Sequence, residues 1–261
     1  MRFPARSAIL TAALLLAAPL LPGIARAQAG SPVAPGSQAE PGQFTPAQRQ
    51  EIIAIIRGAL KSDPSILNDA ILSLRAEADR SQAVDAQAAL ARNRAALAPT
   101  DADLVVGSGG VTLVEFYDPR CPYCRKVLPD LDRLAASDGR VRLVEKLIPI
   151  LGPASVLQAR AIVAAGRQRR ASALQHILMT DTGQPDGVRL RSLAQQAGLN
   201  ADRLERDMAD PAIASDLQRN IALAQALGIT GTPSFVVADR IIPGALDLAA
   251  LRQAVAAART N

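Results

Sequence analysis

The chain has 261 residues with 29 Lys and Arg against 24 Asp and Glu, two cysteines, one histidine and a formal charge of +5. Two thiols supply half of a tetrahedral metal site, so a four-ligand centre would need a second copy of the chain. The one dense basic cluster, RQRR from Arg167 to Arg170, has no aromatic neighbours and reads as a solvated helix face, so no nucleic-acid partner is expected.

In chain order, Arg2 and Arg6 precede an apolar stretch from Ala8 to Leu21, followed by the small-x-small tripeptide Ala25-Arg26-Ala27. This is the pattern of a secretory signal peptide over residues 1–27, cleaved after about Ala27. The apolar core is short for a membrane span, which takes about 20 residues. An exported, periplasmic chain is expected, in a compartment where disulfides persist. Removing the three arginines at 2, 6 and 26 takes the charge from +5 to about +2.

Residues 28–44, rich in Pro, Gly, Ser and Ala and without an apolar period, read as a disordered leader. Thr45, Pro46 and Gln48 then form a helix start with a capping box. Ile52, Ile53, Ile55, Ile56 and Leu60 make an apolar stripe, SDPS at 62–65 breaks and restarts the helix, and Leu67, Ile71, Leu74 and Ala78 continue it. Beyond Ala78 the apolar face is mostly alanine, to about Ala98. This helical arm, residues 45–98, has too few large side chains to bury itself. It packs on the next domain or on copies of itself as a homo-oligomer, and both readings stand at this point.

From 104 to 261 the pattern is that of an α/β domain. VTLVEFY (111–117) reads as a buried strand, RKVLPDLDRLAAS (125–137) as a helix and VRLVEKLIPI (141–150) as a second strand. A helical insert covers about 154–228, PSFVVADRIIPG reads as two strands with a turn at Asp239-Arg240, and LDLAALRQAVAAA closes with a helix.

Both cysteines lie in VEFYDPRCPYC, residues 114–124, at a strand end and a helix start. Cys121 at a helix N-terminus meets free backbone amides and the positive end of the macrodipole, which favour a thiolate and a good leaving group in disulfide exchange. Pro122 suits the first helical turn, where no backbone donor is needed. Cys124, about one turn on, is placed to attack a mixed disulfide on Cys121. A structural disulfide closing so short a ring would stabilise little. Far along the chain, GITGTPSFVV (228–237) sets Pro233 at the first residue of a strand. Local composition favours an ordinary trans proline there, whereas a cis Thr232–Pro233 bond would leave the preceding backbone open to an extended peptide.

The strand-end CPYC, the helical insert and GTPSFVV before the last hairpin, in that order, resemble the DsbA-like thiol–disulfide oxidoreductases of the thioredoxin fold. The resemblance covers about 104–259, and the N-terminal arm is similar to that of the ScsC- and Com1-like subgroup. It implies a thioredoxin fold with a helical insertion domain preceded by an N-terminal helical arm, and oxidase or isomerase activity without a bound cofactor, through a Cys121–Cys124 disulfide. Cys121 is then the nucleophile and Cys124 the resolving thiol, with Pro122 and Tyr123 between them and Thr232–Pro233 as the substrate loop. Several relatives carry histidine where this chain has Tyr123, whose neutral phenol lacks the imidazolium's charge. Glu115, six residues before Cys121, matches an acid that in relatives moves the proton of the buried cysteine. Lys146 on the neighbouring strand is expected to hold that acid's charge; otherwise both face solvent. His176 reads as a surface or helix-packing residue. The implied partners are unfolded or misoxidised exported proteins and a membrane redox protein. Two other functions fit the residues: Cu(I) sequestration by the thiolates, and a non-catalytic interaction protein that uses the arm.

Overall fold

The computed structural model describes residues 44–183 and 186–259, so the expected signal peptide and all but Phe44 of the leader lie outside the described residues. The chain divides into two compact units, Met1–Ser65 and Ile66–Asn261. The described part of the first holds α1 (Pro46–Ser62), closed at its start by the reciprocal bonds of Thr45 and Gln48. None of its residues is buried, and Ile53, Ile55, Ile56 and Leu60 stand exposed.

The second unit begins at the second residue of α2 (Ser65–Asn93), which a 3-10 turn follows (Arg94–Leu97). A sheet follows, made of β1 (Leu104–Val106), β2 (Val111–Tyr117), β3 (Val141–Leu147), β4 (Ser234–Val237) and β5 (Arg240–Pro243). Strand order is β1-β3-β2-β4-β5, with β2 and β3 parallel and every other pairing antiparallel. Helix α3 (Pro122–Ser137) crosses from β2 to β3. The insert is five helices: α4 (Pro153–Gly166), α5 (Ala171–Thr180), α6 (Gly187–Gln196), α7 (Ala201–Met208) and α8 (Pro211–Ala226). The closing helix is α9 (Leu248–Ala257). This is the expected thioredoxin fold with a helical insertion.

Residues two apart on a strand share a face, and the sheet is buried on both. Leu113 and Phe235 meet Val127, Leu131, Leu134 and Leu251 of α3 and α9 on one face. Val114, Phe116, Val144 and Val236 meet Leu223 and Leu227 at the end of α8 on the other. Ala89 and Leu90 of α2 join this second cluster, with Leu97 packed against it. They are the only buried residues of α2. The unit boundary therefore falls inside the expected arm, because these three apolar side chains find the sheet. Each large apolar side chain buried in this way contributes about 1.5–3 kcal/mol.

Two local expectations differ. Leu104–Val106 was not expected as a strand, yet it pairs with Leu143–Glu145 at the sheet edge, where three residues carry no readable period. The hairpin turn is Ala238-Asp239, one residue earlier than expected, with Ala238 in the left-handed region at φ 53° and Arg240 already paired in β5.

Behind the sheet lies a buried ion pair. Lys146 Nζ donates to Asp103 Oδ2 at 2.7 Å and to Ala98 O at 3.2 Å, and both side chains are at most 1% exposed. Asn220 Nδ2 of α8 donates to the other oxygen of Asp103 at 3.2 Å. The pair thus ties the segment after the 3-10 turn, and α8, to β3. Removing one partner of such a pair leaves an uncompensated buried charge, at a cost of about 3–5 kcal/mol. Lys146→Ala should lower the unfolding free energy by about that amount in urea titration, and Asp103→Asn/Lys146→Met by distinctly less than Lys146→Ala.

Candidate active site

The turn after β2 is built around Asp118, which is fully buried. Its carboxylate accepts from Arg120 N at 2.8 Å, Ile150 N at 2.8 Å and Leu151 N at 3.0 Å, joining the loops that leave β2 and β3. Its carbonyl accepts from Cys121 N at 3.0 Å. Arg125 braces the same turn against the end of α5, donating to Pro119 O at 3.0 Å, Asp181 O at 2.9 Å and Leu178 O at 3.1 Å.

Held in this way, Cys121 is the N-cap of α3 and Pro122 its first residue. Both cysteines are free thiols, Cys121 4% exposed and Cys124 fully buried beneath it. Cys121 Sγ donates to Thr232 O at 3.2 Å, and the Thr232–Pro233 peptide is cis. Residues 111 apart in sequence thus meet at one sulfur. Tyr123 is exposed at the rim of a cleft of about 1090 Å³, whose walls include Thr232 and Pro233 on one side and Gln82, Ala86 and Ala89 of α2 on another.

Below the cysteines lies an acidic layer. Glu115 is 2% exposed and faces Cys121 and Cys124, and its Oε1 has no hydrogen-bond partner. In the parallel register it sits beside Glu145, also 2% exposed. Adjacent strands are about 4.8 Å apart, so the two carboxyls are same-face neighbours. Glu145 Oε1 accepts from Gln175 Nε2 of α5 at 2.6 Å. Burial, and then the Glu145 charge, push the Glu115 carboxyl well above the ordinary carboxylate range. Burial raises Glu145 to about 7 against the Gln175 bond, which lowers it. Cys124 is also raised, first by burial and then by Glu115. At the outer edge, His176 Nε2 bonds Asp132 Oδ2 at 2.8 Å and its Nδ1 meets Ser172 O at 2.8 Å; both side chains are about half exposed.

The expectation for Lys146 is corrected here. Lys146 lies beside Phe116, on the opposite face of the sheet from Glu115, and its charge is held by Asp103. One step in a strand reverses the face, so Glu145 occupies the place beside Glu115. Sequence reasoning missed Glu145, although Glu115 and Glu145 sit at like positions of two apolar strands, VTLVEFY and VRLVEKL. It also missed Asp118, for which DPR alone carries no signal. Neither Glu115 nor Lys146 faces solvent. Among the described residues no three His, Cys, Asp or Glu side chains converge on a metal-sized site.

A family model described as the DSBA-like thioredoxin domain matches residues 112–256, more than half of the chain, and the chain belongs to this family. A thioredoxin-like oxidoreductase from Silicibacter pomeroyi DSS-3 is 40% identical, with a TM-score of 0.59 over 61% of this chain and 94% of that one. ScsC of Proteus mirabilis, in a transitional conformation, is 28% identical, with a TM-score of 0.61 over 83% of this chain and 99% of its own. The Na(+)/H(+) antiporter NhaA 1 of Salinispora arenicola is 29% identical over 150 residues, 57% of this chain. The chain spans only 23% of that antiporter's length. Among the described residues no helix is long and apolar enough to cross a membrane.

The acidic layer makes stability depend on pH. A carboxyl raised on folding contributes stability below its unfolded value and loses it as pH rises through the folded one. For Glu145 the window runs from about 4.5 to about 7. At about 1.36 kcal/mol per unit the loss is about 3 kcal/mol. Urea unfolding should therefore show stability falling between about pH 4.5 and 7, and Glu145→Gln should remove its part of that slope while leaving the part due to Glu115.

Proposed function

We propose that this protein is a periplasmic thiol–disulfide oxidoreductase that exchanges disulfides with exported proteins through Cys121 and Cys124. The observation that carries this is Cys121: an N-cap thiol hydrogen-bonded to Thr232 O, with a second thiol buried beneath it. A helix N-terminus favours a sulfur anion, so Cys121 is the better leaving group and Cys124 the poorer one. Export is supported by the signal-peptide pattern of residues 1–27, and by likeness to a periplasmic thioredoxin-like protein from Salmonella enterica, 27% identical.

In the donating direction a substrate thiolate attacks Cys121 Sγ of the Cys121–Cys124 disulfide. The bond to Cys124 breaks, and Cys124 leaves with the electron pair and takes a proton. A second substrate thiolate then attacks the substrate sulfur of the mixed disulfide. Cys121 leaves as thiolate, the substrate is oxidised and the protein pair is reduced. A membrane redox protein of opposite poise resets the pair. In the isomerising direction the Cys121 thiolate attacks a wrong substrate disulfide, and Cys124 releases the substrate if rearrangement stalls. The cleft beside Thr232–Pro233 and Tyr123 takes the substrate as an extended segment.

The exposed Ile53, Ile55, Ile56 and Leu60 of α1 make a face for a second copy of this chain. Several active sites on one assembly favour isomerisation, because a substrate held on one protomer meets another's thiol at high effective concentration.

Wild type should catalyse insulin reduction and reactivate scrambled ribonuclease. Cys121→Ser should abolish both, and Cys124→Ser should accumulate mixed disulfides on non-reducing gels. An inactive wild type overturns the assignment. Ile55→Glu/Ile56→Glu should give a monomer by light scattering and lose ribonuclease reactivation at least tenfold while keeping insulin reduction.

A further inference from the structure

A buried base for Cys124 poses a problem that Glu115 alone does not solve. To attack a mixed disulfide, Cys124 has to lose its proton inside a site from which water is excluded. Glu115 faces it, but burial and the neighbouring carboxyl push Glu115 well above the ordinary carboxylate range, and an acid that already carries its proton has no room for a second. Charge from a lysine is not at hand, since Lys146 is committed to Asp103 behind the sheet.

The groups of this layer come from four elements. Strand β2 contributes Glu115 and Tyr117, β3 contributes Glu145, α3 contributes Cys121, Cys124 and Asp132, and α5 contributes Gln175 and His176. On β4 the residue paired with Glu115 is Phe235, which is apolar. Among these groups Glu145 alone is both a strand neighbour of Glu115 and oriented by a hydrogen bond, from Gln175 at 2.6 Å. Burial raises it to about 7.

We propose that Glu145 is a positioning residue for proton transfer: as Cys124 gives its proton to Glu115, Glu115 passes its own to Glu145, and the two carboxyls work as one dyad. The balance is complete within the site. The Cys124 S–H bond breaks, one proton moves from sulfur to Glu115 and another from Glu115 to Glu145. The Cys124 thiolate attacks Cys121 Sγ, the mixed disulfide opens and the bound thiol leaves as thiolate. Glu145 returns its proton toward the half-exposed His176–Asp132 pair, whose charges act on it. In the donating direction the same protons run backward to the departing Cys124. Two carboxyls this close titrate as a pair.

The role rests on the thiol–disulfide function proposed above, yet it can be tested without a protein substrate. A mixed disulfide of Cys121 with glutathione is prepared, and glutathione release by Cys124 is followed in stopped flow from pH 5 to 9. In wild type the rate should rise through an ionisation near pH 7. Glu145→Gln should remove that ionisation and slow release at pH 7.5 roughly hundredfold, the scale of a lost general base. Glu145→Asp should restore the ionisation with an intermediate rate. Glu115→Gln should be as slow as Glu145→Gln, and the double variant no slower than either, since residues acting as one unit are not additive. A Glu145→Gln rate within twofold of wild type across the range overturns the proposal. So does a wild-type profile flat through pH 7, which decides the matter even if the variant fails to fold. Normal release with no activity on insulin would instead overturn the exchange function and leave the dyad standing.

Discussion

The in-register parallel pairing of β2 with β3 is the constraint on which the rest of the site depends. It sets Glu115 beside Glu145 and Phe116 beside Lys146, so that one face of the sheet holds the two buried acids and the other the buried lysine. The opposite arrangement of charges, an acid against a lysine, would neutralise itself within the sheet. Here Lys146 is matched by Asp103 on its own side, and both acids are pushed above the ordinary carboxylate range. A buried carboxylate without a positive partner is expensive, and burial accordingly pushes both carboxyls toward their neutral form.

Above that layer the geometry is held by backbone. Asp118 collects three amides from two loops, and Arg125 clamps the turn to the end of α5. Cys121 is therefore fixed at a helix N-terminus by groups that do not take part in exchange. The helical insert supplies more than a cover: α5 brings Gln175 to Glu145 and His176 to Asp132, linking the buried acids to the protein edge. The far side of the sheet anchors the end of the arm within the second unit, through Ala89, Leu90 and Leu97 and the Lys146 bond to Ala98 O.

Much of this could be read from local pattern. CPYC after a β-branched run states a helix N-terminus with a thiol at its cap, because the spacing, the proline and the strand all lie within eleven residues. The capping box of Thr45 and Gln48 and the break at SDPS were equally plain. The turn at Ala238-Asp239 was missed by one residue, since a short hairpin's register is set by pairing with β2 as much as by turn composition. β1 was missed because three residues cannot show a period.

What the residues alone settled was therefore the type of chemistry: a dithiol at a strand-to-helix junction, an acid six residues upstream and a distant Thr-Pro before a strand. Those are short-range facts, carried by spacing along one segment. Which charge stands beside Glu115 is a long-range fact, because VRLVEKL offers Glu145 and Lys146 side by side and the choice between them is one residue of register. Only the packed sheet made that choice, burying Leu143 and Leu147 on the face shared with Leu113 and so turning Glu145 inward toward the cysteines and Lys146 away.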